Sequence, residues 1–176
     1  SWISQDKTFQ GDVNSIVKIS QLIESDVKEI KVTSKGFFPI MVPLGDLKNN
    51  EPTVVLLTKA ESGNSVVLKD VNFKRGTAEL EGMETIRSLT EIADFLLENP
   101  GLRLRIHGHT DNAGDPGLNK ALSLERATSV RGFLTDKGVP FESLRISGWG
   151  GTRPVASNST ESGRSKNRRV ELEVEK

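Results

Sequence analysis

The chain has 176 residues, of which 35% are hydrophobic and 27% charged, and Lys plus Arg balances Asp plus Glu at 24 each. That length allows one ordinary domain, or one domain with a small companion. The zero formal charge speaks against a dedicated nucleic-acid binder, which would carry a basic excess. The absence of Cys excludes disulfides, thiolate metal sites and Cys nucleophiles, and the presence of only two His excludes a His-rich metal site. Chemistry must therefore come from carboxylates, Arg, hydroxyls and backbone. The longest apolar runs, such as Val54 to Leu57, fall far short of the roughly 20 residues a membrane helix needs. The start, Ser-Trp-Ile-Ser-Gln-Asp, has neither the basic flank nor the apolar core of a secretory leader, and no initiator Met. A fragment of a longer protein is the expectation.

Residues 1–65 are rich in β-branched residues and turn formers. Ser15 to Ile23 fits helix or strand equally. Val27 to Thr33 alternates apolar and polar, as a half-buried strand does. Phe37 to Val42 and Thr53 to Thr58 read as further strands, separated by Pro43-Leu-Gly-Asp and Lys48-Asn-Asn-Glu, and Glu61-Ser-Gly-Asn-Ser reads as a turn or linker. A small β-rich accessory domain, or the remnant of a sandwich, is expected over this stretch.

From residue 66 to 176 the element types alternate. Val67 to Phe73 is a strand candidate. Met83, Ile86, Leu89, Ala93 and Leu96 recur at helical spacing until Asn99-Pro100-Gly101 stops them. Leu102, Leu104 and Ile106 alternate with Arg103, Arg105 and His107 in a strand. After the loop Thr110 to Pro116, Leu118, Leu122, Ala127, Val130 and Leu134 mark a second helix, ended near Lys137-Gly138. Ser143 to Ser147 is a short strand, and a polar, glycine-rich connection leads to a last strand through Val170, Leu172 and Val174. Such alternation predicts an α/β sandwich with helices packed on a mixed sheet. The basic face of the 102–109 strand and the acidic face of Glu171, Glu173 and Glu175 would pair if these strands were neighbours, at about 0.2–1 kcal/mol per pair.

Arg126 asks for an explanation. It lies four residues after Leu122 and four before Val130, on or beside the buried stripe of its helix. A guanidinium there needs a partner, and Asp111, where the preceding strand turns into this helix, is the obvious one. With the glycines Gly114 and Gly117 exposing backbone N–H groups nearby, a carboxylate and a guanidinium in one cleft suit a zwitterionic ligand. A plain bridge pinning loop to helix is the competing interpretation of the same spacing.

Gly108-His-Thr-Asp-Asn-Ala-Gly114 followed by Asn119-Lys-Ala-Leu-Ser-Leu-Glu-Arg-Ala127 resembles the signature of OmpA-like peptidoglycan-binding domains. The match continues through Gly148-Trp-Gly150, Pro154, Asn158-Ser-Thr160 and Gly163-Arg-Ser-Lys-Asn-Arg-Arg-Val170, and begins upstream at Val71-Asn-Phe-Lys-Arg-Gly-Thr-Ala-Glu-Leu80. The resemblance implies an OmpA-like βαβαβ sandwich over residues 66–176 that binds the peptidoglycan stem peptide without catalysis, cofactor or metal. Its main anchor would be meso-diaminopimelate. By position, Asp111 would meet the diaminopimelate ammonium and Arg126 its carboxylate. Asn119 would orient the ligand and Leu122 would form an apolar wall. Thr110 and the Phe73–Thr77 loop, with Arg75 and Gly76, would line the rim, and Arg168 or Arg169 would close it. Lys74-Arg75 departs from the small acidic or polar residue the family often has after the Phe, and adds cations for stem-peptide carboxylates. The implied place is the periplasm of a Gram-negative bacterium, at the outer membrane or cell wall. Membrane attachment would come only through parts of the full-length protein outside this sequence, and envelope proteins are possible partners. Gly36-Phe-Phe-Pro and Val54-Val-Leu-Leu-Thr-Lys-Ala-Glu-Ser-Gly loosely resemble small β-sandwich domains that precede such modules in Bacteroidetes-type envelope proteins, without indicating a function.

Three other readings compete. His107, His109 and Asp111 fall on one face of a strand and could form a metal tripod for an enzyme, but no other His exists to complete it and Arg103 and Arg105 share that face. Arg164-Ser-Lys-Asn-Arg-Arg169 is basic, yet it leads into Glu171 and Glu173 with no interleaved aromatics, so nucleic acid is not the expected partner. A protein–protein docking module on the same fold, without ligand binding, is the third.

Overall fold

The computed structural model describes residues 29–43, 45, 56–68 and 71–175. The chain divides into two compact units, residues 1–31 with 41–55, and residues 32–40 with 56–176. Glu29–Val32 (β1) and Ile40–Pro43 (β2) pair as a two-stranded sheet. The undecided stretch Ser15 to Ile23 and the first half of the expected strand at Thr53 to Thr58 lie outside the described residues. Thr58 and Ala60 instead make isolated backbone bonds, Thr58 O accepting from Phe38 N and Ala60 N donating to Gly36 O.

The larger unit runs β3 (Ser65–Val67), β4 (Asn72–Phe73), β5 (Leu80–Glu81), α1 (Met83–Glu98), β6 (Leu104–Gly108), α2 (Pro116–Asp136), β7 (Leu144–Gly148), α3 (Glu161–Asn167) and β8 (Val170–Val174). Its four-stranded sheet has the order β3–β8–β6–β7. β8 is antiparallel to both β3 and β6, and β6 is parallel to β7. The expected α/β architecture, helices on a mixed sheet, is the one observed. The single strand expected over Val67 to Phe73 is two pieces. Ser65–Val67 joins the sheet, whereas Asn72–Phe73 folds back on Leu80–Glu81 as a hairpin. The hairpin's turn is locally satisfied, Lys74 N donating to Glu79 O and Thr77 N to Lys74 O, with Gly76 at φ 74° supplying the left-handed residue.

Alternation along β6 and β8 sends Leu104, Ile106, Val170, Leu172 and Val174 to one face, where they meet Leu89, Ala93, Leu96, Ala127, Val130 and Leu134. Burying each large aliphatic is worth about 1.5–3 kcal/mol. Phe38, 1% exposed, joins this core with its ring 5.3 Å from that of Phe95. α1 buries Thr85, Leu89, Ile92, Ala93, Phe95 and Leu96, so Met83 and Ile86, expected inside, are exposed at its first turns. Leu118 is likewise outside at 72% exposure. The stripe of α2 is Ser123, Arg126, Ala127, Val130 and Leu134. The small residues on that line have a steric cause: a Cβ on Gly108 of β6 would lie 1.9 Å from the Ser123 carbonyl oxygen. Helix and strand backbones therefore nearly touch where the chain leaves the sheet. Among the described residues no helix is long and apolar enough to cross a membrane.

On the sheet's other face, basic β6 and acidic β8 are neighbours, as their charge pattern predicts, but the pairs form on the diagonal. Arg105 opposes Glu173 in register and bonds Glu175 at 2.6 Å; His107 opposes Glu171 and bonds Glu173 at 2.7 Å. His107, on the same face as Arg105, is only 4% exposed. The Trp149 indole N–H donates to its Nδ1 at 2.9 Å, which fixes the proton on Nε2, the atom facing Glu173.

Candidate ligand-binding site

β6 and β7 run parallel and end together at Gly108 and Gly148, and the loops leaving them meet beyond their carboxyl ends, the edge at which open α/β sheets commonly bind ligands. The first loop carries Thr110 and Asp111. The Thr110 hydroxyl donates to the Asp111 carbonyl at 2.8 Å, and its N–H to Gly150 O at 3.0 Å. Asp111 Oδ1 accepts the Ala113 N–H at 3.0 Å, an Asx turn that orients the carboxylate. Asp115 then caps α2, accepting from Leu118 N, with Pro116 in the first turn. Asn119 donates to Ala113 O at 2.8 Å, so it fastens the loop to the helix, and Leu122 is half-buried one turn on.

The second loop presses against the first. A Cβ on Gly151 would lie 2.6 Å from Asp111 O, and one on Gly150 3.0 Å from Lys120 N. Gly150 N donates to the Ser123 hydroxyl, which itself donates to Lys120 O. This serine is therefore spent on packing. Asn167, fully buried, braces the segment beyond. Its Oδ1 accepts from Val155 N and Ala156 N, and its Nδ2 donates to Ala156 O and Asn158 Oδ1.

Arg126 is 8% exposed on α2. Its Nε donates to Thr77 O at 3.0 Å, and its guanidinium carbon sits 4.9 Å from the centroid of the Phe73 ring. This brings the β4–β5 hairpin against Arg126, with Arg75 and Gly76 exposed at its tip. The direct Asp111–Arg126 pair expected from spacing is not formed. Arg168, just beyond α3, takes Asp111 instead, with Nη1 2.8 Å from Oδ2. Arg126 makes no ion pair among the described residues, and its two terminal nitrogens carry no hydrogen bond there. Burial, then the Arg168 charge, hold its pKa below the usual guanidinium range, with Asp111 opposing them. Asp111 and Arg168 are thus within its field. Arg169 is directed elsewhere, bonding Glu171 at 2.6 Å and the carbonyls of Asn167 and Arg153.

The residues of the suspected metal tripod have other surroundings: His107 is held between Trp149 and Glu173, and Asp111 between Ala113 and Arg168. Sequence reasoning missed Asn167, Ser123, Gly150 and Gly151 as the residues that brace these loops. The signal was there in Gly148-Trp-Gly-Gly and in a lone Asn inside a basic run.

The chain is similar to several known proteins. It is 45% identical over 87 residues to the outer-membrane lipoprotein YfiB of Pseudomonas aeruginosa, covering 49% of this chain and 52% of the relative. It is 44% identical over 86 residues to the peptidoglycan-binding protein ArfA of Mycobacterium bovis, covering 49% and 26%. The crystal structure of the peptidoglycan-associated lipoprotein from Burkholderia pseudomallei superposes with a TM-score of 0.54 at 28% identity, over 63% of this chain and 89% of that one. The chain thus spans about half the length of YfiB and about a quarter of ArfA. The model of the OmpA family matches residues 72–168, more than half of the sequence, and the chain belongs to that family.

Proposed function

We propose that residues 66–176 bind the stem peptide of peptidoglycan without catalysis, gripping the zwitterionic centre of meso-diaminopimelate, and so anchor an envelope protein to the cell wall. Residues 1–65 are, in this reading, a small β-rich accessory segment to which we assign no function. The observation that carries the reading is Arg126, a nearly buried guanidinium with no carboxylate partner and with its terminal nitrogens unused among the described residues. Proteins rarely bury a cation unpaired, because its desolvation goes uncompensated. A ligand carboxylate would supply the missing partner through two parallel N–H···O bonds. Asp111 offers the opposite charge to the neighbouring ammonium. Asn119, Thr110 and Leu122 shape the floor, Phe73, Arg75 and Gly76 the hairpin rim, and Arg168 the far rim. Arg169, turned towards Glu171, would support the rim from behind.

The names of the relatives agree with an envelope setting: one is an outer-membrane lipoprotein, one a peptidoglycan-binding protein, and one solved neighbour a peptidoglycan-associated lipoprotein. The periplasm of a Gram-negative bacterium is the compartment we infer.

Pull-down with purified sacculi tests the reading. Asp111→Asn and Arg126→Met should each weaken retention by about ten- to a hundredfold, the worth of a charge-assisted hydrogen bond or two. Arg126→Met should also leave stability unchanged or raise it by about 1 kcal/mol, since it removes an unpaired buried cation. Undiminished retention of both variants would point to a docking module instead, and a strongly destabilised Arg126→Met to a structural arginine.

A further inference from the structure

The two halves of the cleft are unequal. Its carboxylate subsite, at Arg126, is open, whereas its ammonium subsite is already filled by one of the protein's own cations. Arg168 Nη1 donates to Asp111 Oδ2 at 2.8 Å, and its Nη2 donates to Glu161 Oε1 at 2.7 Å. Glu161 is in turn held through its other oxygen by Arg164, whose Nη1 donates to Asn158 O. An alternating chain of charges, Arg164–Glu161–Arg168–Asp111, therefore runs along α3 and ends on the carboxylate that the proposed function reserves for the ligand.

Resting on the reading of the cleft as a zwitterion clamp, we propose that Arg168 is a specificity-determining residue that competes with the ligand ammonium for Asp111, and that Glu161 is the carboxylate that keeps hold of it when the ligand wins. The two bonds use different nitrogens of one guanidinium, so Arg168 can release Asp111 without leaving Glu161. Its side chain is 37% exposed, so water can take over the freed nitrogen. Asp111 itself stays oriented through Oδ1 and the Ala113 N–H. The consequence is selectivity. A lone amine meets a cation at its subsite and gains nothing at Arg126. A ligand carrying ammonium and carboxylate on one carbon uses Arg126 to gain the hold that displaces Arg168. The site thereby rejects simple amines by occupying the subsite itself, a contribution that comes from a competing contact and not from a closer fit.

Two probes separate the possibilities: an N-terminally blocked stem tripeptide ending in meso-diaminopimelate, and the same tripeptide with the free diaminopimelate amine acetylated. Binding of each is measured by calorimetry to the full chain and to Arg168→Gln, Glu161→Gln and the double variant. Arg168→Gln should tighten the free-amine peptide by up to about fivefold, the scale of an exposed ion pair, and fail to tighten the acetylated one. Glu161→Gln keeps an acceptor for Arg168 but removes the charge that draws it away. It should weaken the free-amine peptide, leave the acetylated one unchanged, and lose its effect in the Arg168→Gln background. If Arg168→Gln weakens both peptides alike, Arg168 is a direct ligand contact, and the competition is refuted while the clamp stands. A wild-type chain that binds neither peptide, or binds both regardless of Arg126→Met, removes the clamp and this inference together.

Discussion

His109 is the residue with the least comfortable surroundings. It is 2% exposed, and neither ring nitrogen finds a hydrogen-bond partner among the described residues; Nε2 comes no nearer than 3.7 Å to Glu171. Burial, chiefly, and then the Arg169 charge push its pKa down from 6.5 to about 4, against the pull of Glu171. Folded and unfolded chains therefore differ in protonation between those two values. In that window the unfolded chain binds the extra proton, so stability is full above pH 6.5 and is lost as pH falls towards 4. The loss from this group alone is at most about 3 kcal/mol. His109→Leu, which removes the titrating group and keeps an apolar filling, should flatten that part of the stability profile. Urea unfolding at pH 7, 5 and 4 reads it directly, and an unchanged slope in the variant would assign the acid sensitivity to other groups.

At the scale of elements, the seat of α2 on β6 decides where the cleft opens. Gly108 and Gly148 lie under Ser123 and Leu124, where added Cβ atoms would sit 1.9 Å from the Ser123 carbonyl oxygen and 2.6 Å from the Leu124 nitrogen. Neither contact can relax by turning a side chain, because both are to backbone. Gly108→Ala should therefore force the helix off the strand and cost at least about 2 kcal/mol. Gly132, also in α2 but with open space where its Cβ would be, is the control: Gly132→Ala should stabilise by about 0.5–1 kcal/mol through helix propensity. Equal effects on the urea midpoint would contradict this account of the packing. The same junction shows what a sequence can reveal. Periodicity located α1, α2, β6 and β8, and the position of Arg126 on the apolar stripe was readable from its spacing to Leu122 and Val130. The opposed charges of β6 and β8 predicted their adjacency. What spacing could not convey was distance between segments far apart in the chain. Asp111 is claimed by Arg168, 57 positions away, and not by the nearer Arg126. Met83, Ile86 and Leu118 fit the helical period yet lie outside, because each stands in the first turns of its helix, near the edge of the core. Ser123 fits no apolar pattern and is fully buried, because only a small residue lets two backbones approach.

For the larger unit as a whole, the proposed function amounts to a shallow grip at one end of the sheet. The cleft joins loops from β6 and β7, the start of α2, the β4–β5 hairpin and the residue after α3, so it is assembled only when the sheet, its helices and the hairpin are in place. On that proposal, a grip built from one guanidinium and one shared carboxylate would be weak for a soluble peptide, yet a wall would present its stem peptides in many copies. Holding power should then depend on how many clamps are tied together more than on any one of them. Linking two modules turns the second binding event into an intramolecular one at millimolar effective concentration, and raises retention without a new contact. Fusion of the chain to a parallel dimeric coiled coil should accordingly increase retention on intact sacculi by about a hundredfold or more. Affinity per site for the soluble tripeptide should stay as it is in the monomer, and Asp111→Asn should cancel the gain. If monomer and dimer are retained equally, the wall is being held through a surface other than this cleft.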